Sequence, residues 1–329
     1  MDKITATTIA DTVAVAIHGI GFTPTSSVVL MLMENHTLAA TLRIDARPET
    51  PAGLWAAEIT NYVHRLDTVN GILLLSFEDD HAMTPAQYRA LDTVLTLTGR
   101  PIRHALLIRD GYVMDYDGNH SDKLPFSAVV TSNAALALML ATESYTKLAA
   151  DIPPCSTGTA LPELQEFVDA ARRMDCEDKE TRTTVRSTLI GLIIGYQCTG
   201  TVTPHEGAWL AGTCTQKGIR DLIFASLATS SDDMDSISAA LMGETAPEDW
   251  DYFRDGADAI YTALEYIPPE HRTDLLAGLG WTRWIDGKGS EAMNFLDLAR
   301  ATDPGHRLTE LLTRLISSGH LPASATTKH

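Results

Sequence analysis

Residues 27–45, SVVLMLMENHTLAATLRID, decide the fold. The run Ser27-Val28-Val29-Leu30-Met31-Leu32-Met33 is β-favouring and unbroken, which predicts a strand buried on both faces. Glu34-Asn35-His36 turns the chain, and Thr37–Asp45 reads as the returning strand of a β-hairpin. Upstream, residues 7–18 place Ile9, Val13, Ala16 and Ile17 at helical spacing. Downstream, Pro51 opens a helix whose inward face carries Trp55, Ile59, Tyr62, Val63 and Leu66.

Ile72-Leu73-Leu74-Leu75-Ser76-Phe77 is again a central strand. Thr84 caps the next helix, which turns Tyr88, Leu91, Val94 and Leu95 inward and ends at Gly99. His104–Arg109 and Tyr112–Tyr116 form two strands joined by the turn Asp110-Gly111. The order α-β-β-α-β-α-β-β predicts a mixed sheet covered by helices.

Beyond residue 130 the strand signals stop. Ser132–Ala150 reads as helix and Ile152-Pro153-Pro154 breaks it. From Leu161 the apolar period is helical, with one stripe of Val185, Leu189, Leu192, Ile193 and Tyr196 and another of Phe253, Ala257, Ile260, Tyr261 and Leu264. Leu279, Gly280, Ala292, Leu296, Ala299 and Pro304 fit one tetratricopeptide-type helical hairpin, with no second repeat. The expected class is therefore an α/β domain followed by an all-α, partly tetratricopeptide-like domain. The expected boundaries are an α/β domain over 1–130, a connecting helix and Pro-rich linker over 131–160, a helical domain over 161–322, and a frayed tail over 323–329.

The chain has 329 residues, with 44% hydrophobic and 21% charged, a globular composition that excludes disorder as the main state. With 25 basic and 43 acidic side chains the formal net charge is -18, which disfavours nucleic acid and anionic membranes as partners. Cys155, Cys176, Cys198 and Cys214 show no metal-knuckle spacing, and Cys176 and Cys198 fall in segments that read as helix. The start Met1-Asp2-Lys3-Ile4 has no signal-peptide pattern, so the expected location is cytoplasmic.

Several constellations are candidates for chemistry. Glu78-Asp79-Asp80-His81 follows a central strand, where open α/β sheets bind ligands. Glu78, Asp80 and His81 are weak metal candidates there; a solvated loop is the favoured reading, and no metal or cofactor is expected. Asp115-Tyr116-Asp117-Gly118-Asn119 starts like a calcium loop, but His120 and Phe126 stand where Gly and Glu are needed. Gly19-Ile20-Gly21 is an incomplete dinucleotide fingerprint that follows a helix. There is no Walker Gly-Lys-Ser/Thr, Gly-x-Ser-x-Gly or His-Glu-x-x-His. Ser26-Ser27 either enters an anion pocket or satisfies the strand start. Arg109-Asp110 ends a buried strand; Arg109 either forks onto an anion or ties the hairpin to an acid such as Asp45. Arg220-Asp221 is expected to make a structural ion pair between domains. The ligand-binding candidates are thus Ser27, Asp45, Arg109, Asp110, Arg220 and Asp221. Trp250, Tyr252, Phe253, Trp281 and Trp284 are read as packing material.

These landmarks together resemble one family. They are Gly21-Phe22-Thr23-Pro24 with Ser27-Val28-Val29, Arg43-Ile44-Asp45, Arg109-Asp110-Gly111 and Gly218-Ile219-Arg220-Asp221. Toward the end come Trp281, Gly287, Ala292, Asp303-Pro304-Gly305, Leu311-Leu312 and Gly319-His320-Leu321-Pro322. The set, in this order over nearly the whole chain, resembles the domain-of-unknown-function 4192 family of actinobacteria and actinophages. Thr23 stands where that family has His, and Ala46-Arg47 where it has Leu-Pro. The resemblance implies fold and context and brings no activity.

Three functions stay open. The first, preferred, is a non-enzymatic interaction protein with a protein partner or a second copy of itself. The second is an enzyme of unassigned class, a metal-dependent or phosphoryl-group hydrolase at the strand ends. The third is a small-ligand sensor using the same place.

Overall fold

The computed structural model describes residues 5–66, 68–118, 123–141 and 162–326. It separates into two compact units, Met1–Thr146 and Lys147–His329.

The first unit is built on a six-stranded sheet in the order β2-β1-β3-β4-β5-β6. Its strands are β1 (Ser27–Glu34), β2 (Thr37–Asp45), β3 (Gly71–Phe77), β4 (Ile102–Arg109), β5 (Tyr112–Asp115) and β6 (Leu124–Pro125). Only β3 and β4 run parallel; the other neighbours are antiparallel. The helix between them, α3 (Pro85–Leu97), is the crossover that a parallel pair requires. Alternation along β1 sends Val28, Leu30 and Leu32 to one face and Val29 and Met31 to the other. The first set packs under α2 (Ala52–Val63) and α3 through Trp55, Ile59, Leu91 and Leu95. The second packs under α1 (Ile9–Ile20) through Val13, Ala16, Ile17 and Ile20. A strand buried on both sides has no polar face, which is why residues 27–33 carry no alternation.

Both hairpin turns use paired left-handed residues. Asn35 and His36 have φ of 47° and 70°, and Asp110 and Gly111 have 53° and 77°. This is the turn form that matches strand twist. Gly19-Ile20-Gly21 proves to be a helix end: Gly21, at φ 91°, caps α1 by donating to Ile17 and His18 carbonyls. The two-residue strand β6 and the turn of helix α4 (Ser127–Val130) carry no period that the sequence could reveal. Helix α5 (Asn133–Ala141) packs on α1, within the first unit. The remainder of the helix expected to reach Ala150, the Pro153-Pro154 break, Cys155 and the Asn119-His120 loop lie outside the described residues.

The described part of the second unit is helical. Its helices are α6 (Pro162–Ala171), α7 (Lys179–Thr199), α8 (Pro204–Cys214), α9 (Lys217–Ala228), α10 (Met234–Leu241) and α11 (Trp250–Ala263). Two 3-10 turns lead to α12 (Thr273–Ile285), α13 (Gly289–Thr302), α14 (Arg307–Ser317) and α15 (Ala323–Thr326). Trp281 sits edge-on to Phe224 and to Phe253, with centroids 6.1 and 5.9 Å away. All three rings are buried, as core material. Gly278 admits Phe224 to this cluster, because a Cβ there would lie 1.7 Å from the ring. α12 and α13 form a hairpin in which a Cβ on Gly280 would meet Leu296 at 2.9 Å.

Two expectations need correction. Cys176 lies in a turn before α7 rather than in a helix, since Asp178 caps α7 and starts it only at Lys179. The tail is not frayed from residue 323. Ala323 N–H donates to the Gly243 carbonyl, and the buried Ser324 hydroxyl donates to the Ile285 carbonyl. Residues 327–329 lie outside the described residues.

Candidate functional site

Strand register lines up the first group of sequence candidates along one end of the sheet. Ser27 faces Asp45 on β2 and Phe77 on β3, and Phe77 faces Ile108 on β4. Asp45 and Arg109 are thus three strand spacings apart, about 14 Å. Arg109 therefore does not tie to Asp45. Its guanidinium lies 3.4 Å from Glu78 and 3.9 Å from Asp110, while Asp45 takes Arg43 at 2.6 Å.

Ser26, Ser27 and Asp79 at this end are spent on backbone. Ser27 is fully buried and its hydroxyl donates to the Thr25 carbonyl at 2.5 Å. Asp79 accepts from Ser26 N–H, and the Ser26 hydroxyl accepts from His81 N–H. Glu78 accepts from the Ser76 hydroxyl, two residues back. Asp80 and His81 are exposed. Among the described residues no three His, Cys, Asp or Glu side chains gather as metal ligands. Asp115, from the calcium-like stretch, bonds His104 at 2.7 Å.

Arg220 and Asp221 belong to a second, separate network, all of it inside the helical unit. Arg220 is buried; Nη1 donates to Asp274 and Nε and Nη2 to Asp221, all within 2.9 Å. Asp274 also bonds His306 at 3.1 Å, and His306 bonds Thr309 at 2.8 Å. Burial works against the charge on Arg220, but Asp221 and Asp274 outweigh it and raise its pKa. Burial likewise works against ionised Asp274, and His306 with Arg220 outweighs it and lowers the pKa. The ion pair expected between domains joins α9, α12 and the start of α14 instead.

A groove that none of these candidates enters lies elsewhere on the helical unit, with a volume of about 540 Å³. One wall is α7, which contributes Thr183, Arg186, Ser187, Ile190 and Ile194. These positions recur every three or four residues, so they form one stripe about 16 Å long. Ile190 and Ile194 are 44% and 51% exposed, although their neighbours Leu189 and Ile193 are fully buried. The end of α9 supplies Leu227 and Ala228, and the start of α11 supplies Tyr252.

The loop between α9 and α10 closes one end and is held from both sides. Arg186 donates to the Ser230 and Ser231 carbonyls and lies 3.1 Å from Asp232. Glu248 accepts from the Thr229 hydroxyl and from Ser230 N–H and hydroxyl. Those hydrogen bonds hold its carboxyl below the usual range, so it is ionised at neutral pH. Asp249 caps α11 by accepting from Asp251 and Tyr252 N–H. Burial raises the Tyr252 pKa, which keeps its phenol neutral.

Sequence reasoning left the groove unfound. The residues that bear it, Ile190 and Ile194, stand one turn apart in the apolar run 189–194, LIGLII, where they do not differ in type from the buried Leu189 and Ile193.

Among the described residues no helix is long and apolar enough to cross a membrane. Comparison with protein families matches residues 18–323 to the family described as Domain of unknown function (DUF4192), and the chain belongs to that family. Comparisons with curated proteins and with solved structures return no match.

Proposed function

We propose that this member of the DUF4192 family is a non-enzymatic binding protein whose helical unit receives a partner in the groove between α7 and α11. The observation that carries this reading is the pair Ile190 and Ile194, left half-exposed above Leu227 and Ala228 in a groove of about 540 Å³. That volume lies within the range of ordinary binding sites. The charged groups beside it are engaged in holding the loop, as Arg186 and Glu248 are, or in capping a helix, as Asp249 is. They suit a rigid rim better than proton transfer, which requires a group free to change its bonds. A cytoplasmic setting fits the free thiols of Cys176, Cys198 and Cys214.

A peptide library displayed on phage and panned against the full chain tests the reading. Enriched peptides are expected to lose binding to the Ile190→Ser/Ile194→Ser variant. Mass spectrometry is expected to recover each peptide unchanged after incubation. Absence of any groove-dependent binder, or a chemically altered peptide, removes the proposal.

A further inference from the structure

The charge around the groove bears on what fills it. Three carboxylates, Asp232, Glu248 and Asp249, line it against one guanidinium, Arg186. That guanidinium lies 3.1 Å from Asp232 and also favours the ionised form of Glu248, so one positive charge is shared among three carboxylates and the lining keeps an excess of negative charge. Glu248 remains charged well below neutral pH, because Thr229 and Ser230 stabilise its ionised form. Asp255 adds a further acid on α11, bonded to Gln197 of α7.

The apolar part has its own geometry. The stripe from Thr183 to Ile194 runs about 16 Å along α7, three helical turns; its apolar side chains are Ile190 and Ile194, exposed one turn apart, while Arg186 at the other end holds the loop. Such a track suits side chains repeating along an extended or helical segment.

Building on the binding reading above, we infer that the groove takes an amphipathic basic segment of a partner protein, with apolar side chains on Ile190 and Ile194 and Lys or Arg facing Glu248 and Asp249. Charge complementarity selects this occupant over an acidic one, since opposite charges at a rim guide encounter and like charges repel. It also selects against a second copy of this chain, whose net charge is -18.

Fluorescence anisotropy with three labelled peptides of about 12 residues, a length of about 18 Å as helix, tests the inference. One has an amphipathic Leu/Lys pattern, one is Ser/Lys with equal charge, and one is Leu/Glu. The Leu/Lys peptide should bind the full chain about tenfold tighter than the Ser/Lys peptide, which reports attraction to the acidic chain alone. The Ile190→Ser/Ile194→Ser variant should erase that margin. A Leu54→Ser/Leu97→Ser control, at exposed leucines of the first unit, should keep it. Equal binding of the Leu/Lys and Ser/Lys peptides overturns the inference. So does stronger binding of Leu/Glu, or full binding by the groove variant. Groove-dependent library peptides that prove acidic or neutral defeat the charge argument and leave the binding reading standing. A library in which nothing depends on Ile190 and Ile194 defeats both.

Discussion

Asp11 Oδ1 accepts a hydrogen bond from Ala134 N–H at 3.0 Å, across 123 positions of sequence. Its other oxygen accepts from Thr8 N–H and the Thr8 and Thr7 hydroxyls, completing a capping box on α1. One buried carboxylate thus closes the N-termini of α1 and α5 together. Asp11→Ala should cost about 3 kcal/mol, two lost caps plus an unpaired buried amide, measured by urea unfolding.

The same residue predicts a pH dependence. The bond from Ala134, with those from Thr8 and Thr7, outweighs burial and holds the Asp11 carboxyl far below its ordinary value of 3.8. A lowered folded-state pKa stabilises the protein fully above the unfolded value and less as pH falls below it. The stability gap between the wild type and Asp11→Asn should therefore be constant near neutrality and shrink below about pH 4. A gap that widens in acid would contradict the assignment.

Arg220 is the keystone of the α9–α12–α14 contact, because Asp274 and Asp221 both depend on its guanidinium. Arg220→Ala leaves the partly buried Asp274 with His306 as its remaining partner, at a cost of about 3 kcal/mol. Arg220→Lys keeps the charge but has no fork to reach both acids, so it should recover only part of that loss. Denaturant midpoints of the two variants check the order. An unchanged midpoint for Arg220→Ala would place the network outside the folding energetics.

How far the sequence discloses these features depends on their range. The order of the first eight elements was legible because each reports its own period: continuous at 27–33, helical at 51–66, continuous at 72–77. Thr84 read correctly as a cap because its partner, Gln87, is three residues away. Asp11 looked like any acid in a first helical turn, since nothing local announces Ala134. Arg220 was readable as an ion pair, but Asp274 lies 54 positions on, and the sequence could not say which unit it would join. The groove was hidden for a different reason. Residues 189–194, LIGLII, are apolar around most of the helix, so the period does not say which of them a neighbouring helix leaves uncovered.

His36 offers a test of the hairpin that opens the sheet. It holds φ of 70° at the second central position of a turn that favours glycine there. His36 is exposed, so replacing it removes no packing. His36→Gly should stabilise the protein by about 1 kcal/mol, because a non-glycine residue is strained in that region. Thermal unfolding should show a raised Tm, and a lowered one would mean that the imidazole has a contact worth more than the strain.

Ile193 and Ile194 are neighbours in α7 with opposite surroundings. Ile193 is fully buried and in the helical core, where Leu227 and Ile193 both approach Gly256. Ile194 faces the groove. Ile193→Ala should cost about 3 kcal/mol, from lost burial and the cavity it leaves. Ile194→Ser should stay within about 0.5 kcal/mol of the wild type, because an exposed side chain loses little on truncation. A large loss for Ile194→Ser would mean that the residue serves the core, and the stripe along α7 would then be part of the packing instead of a surface left open for a partner.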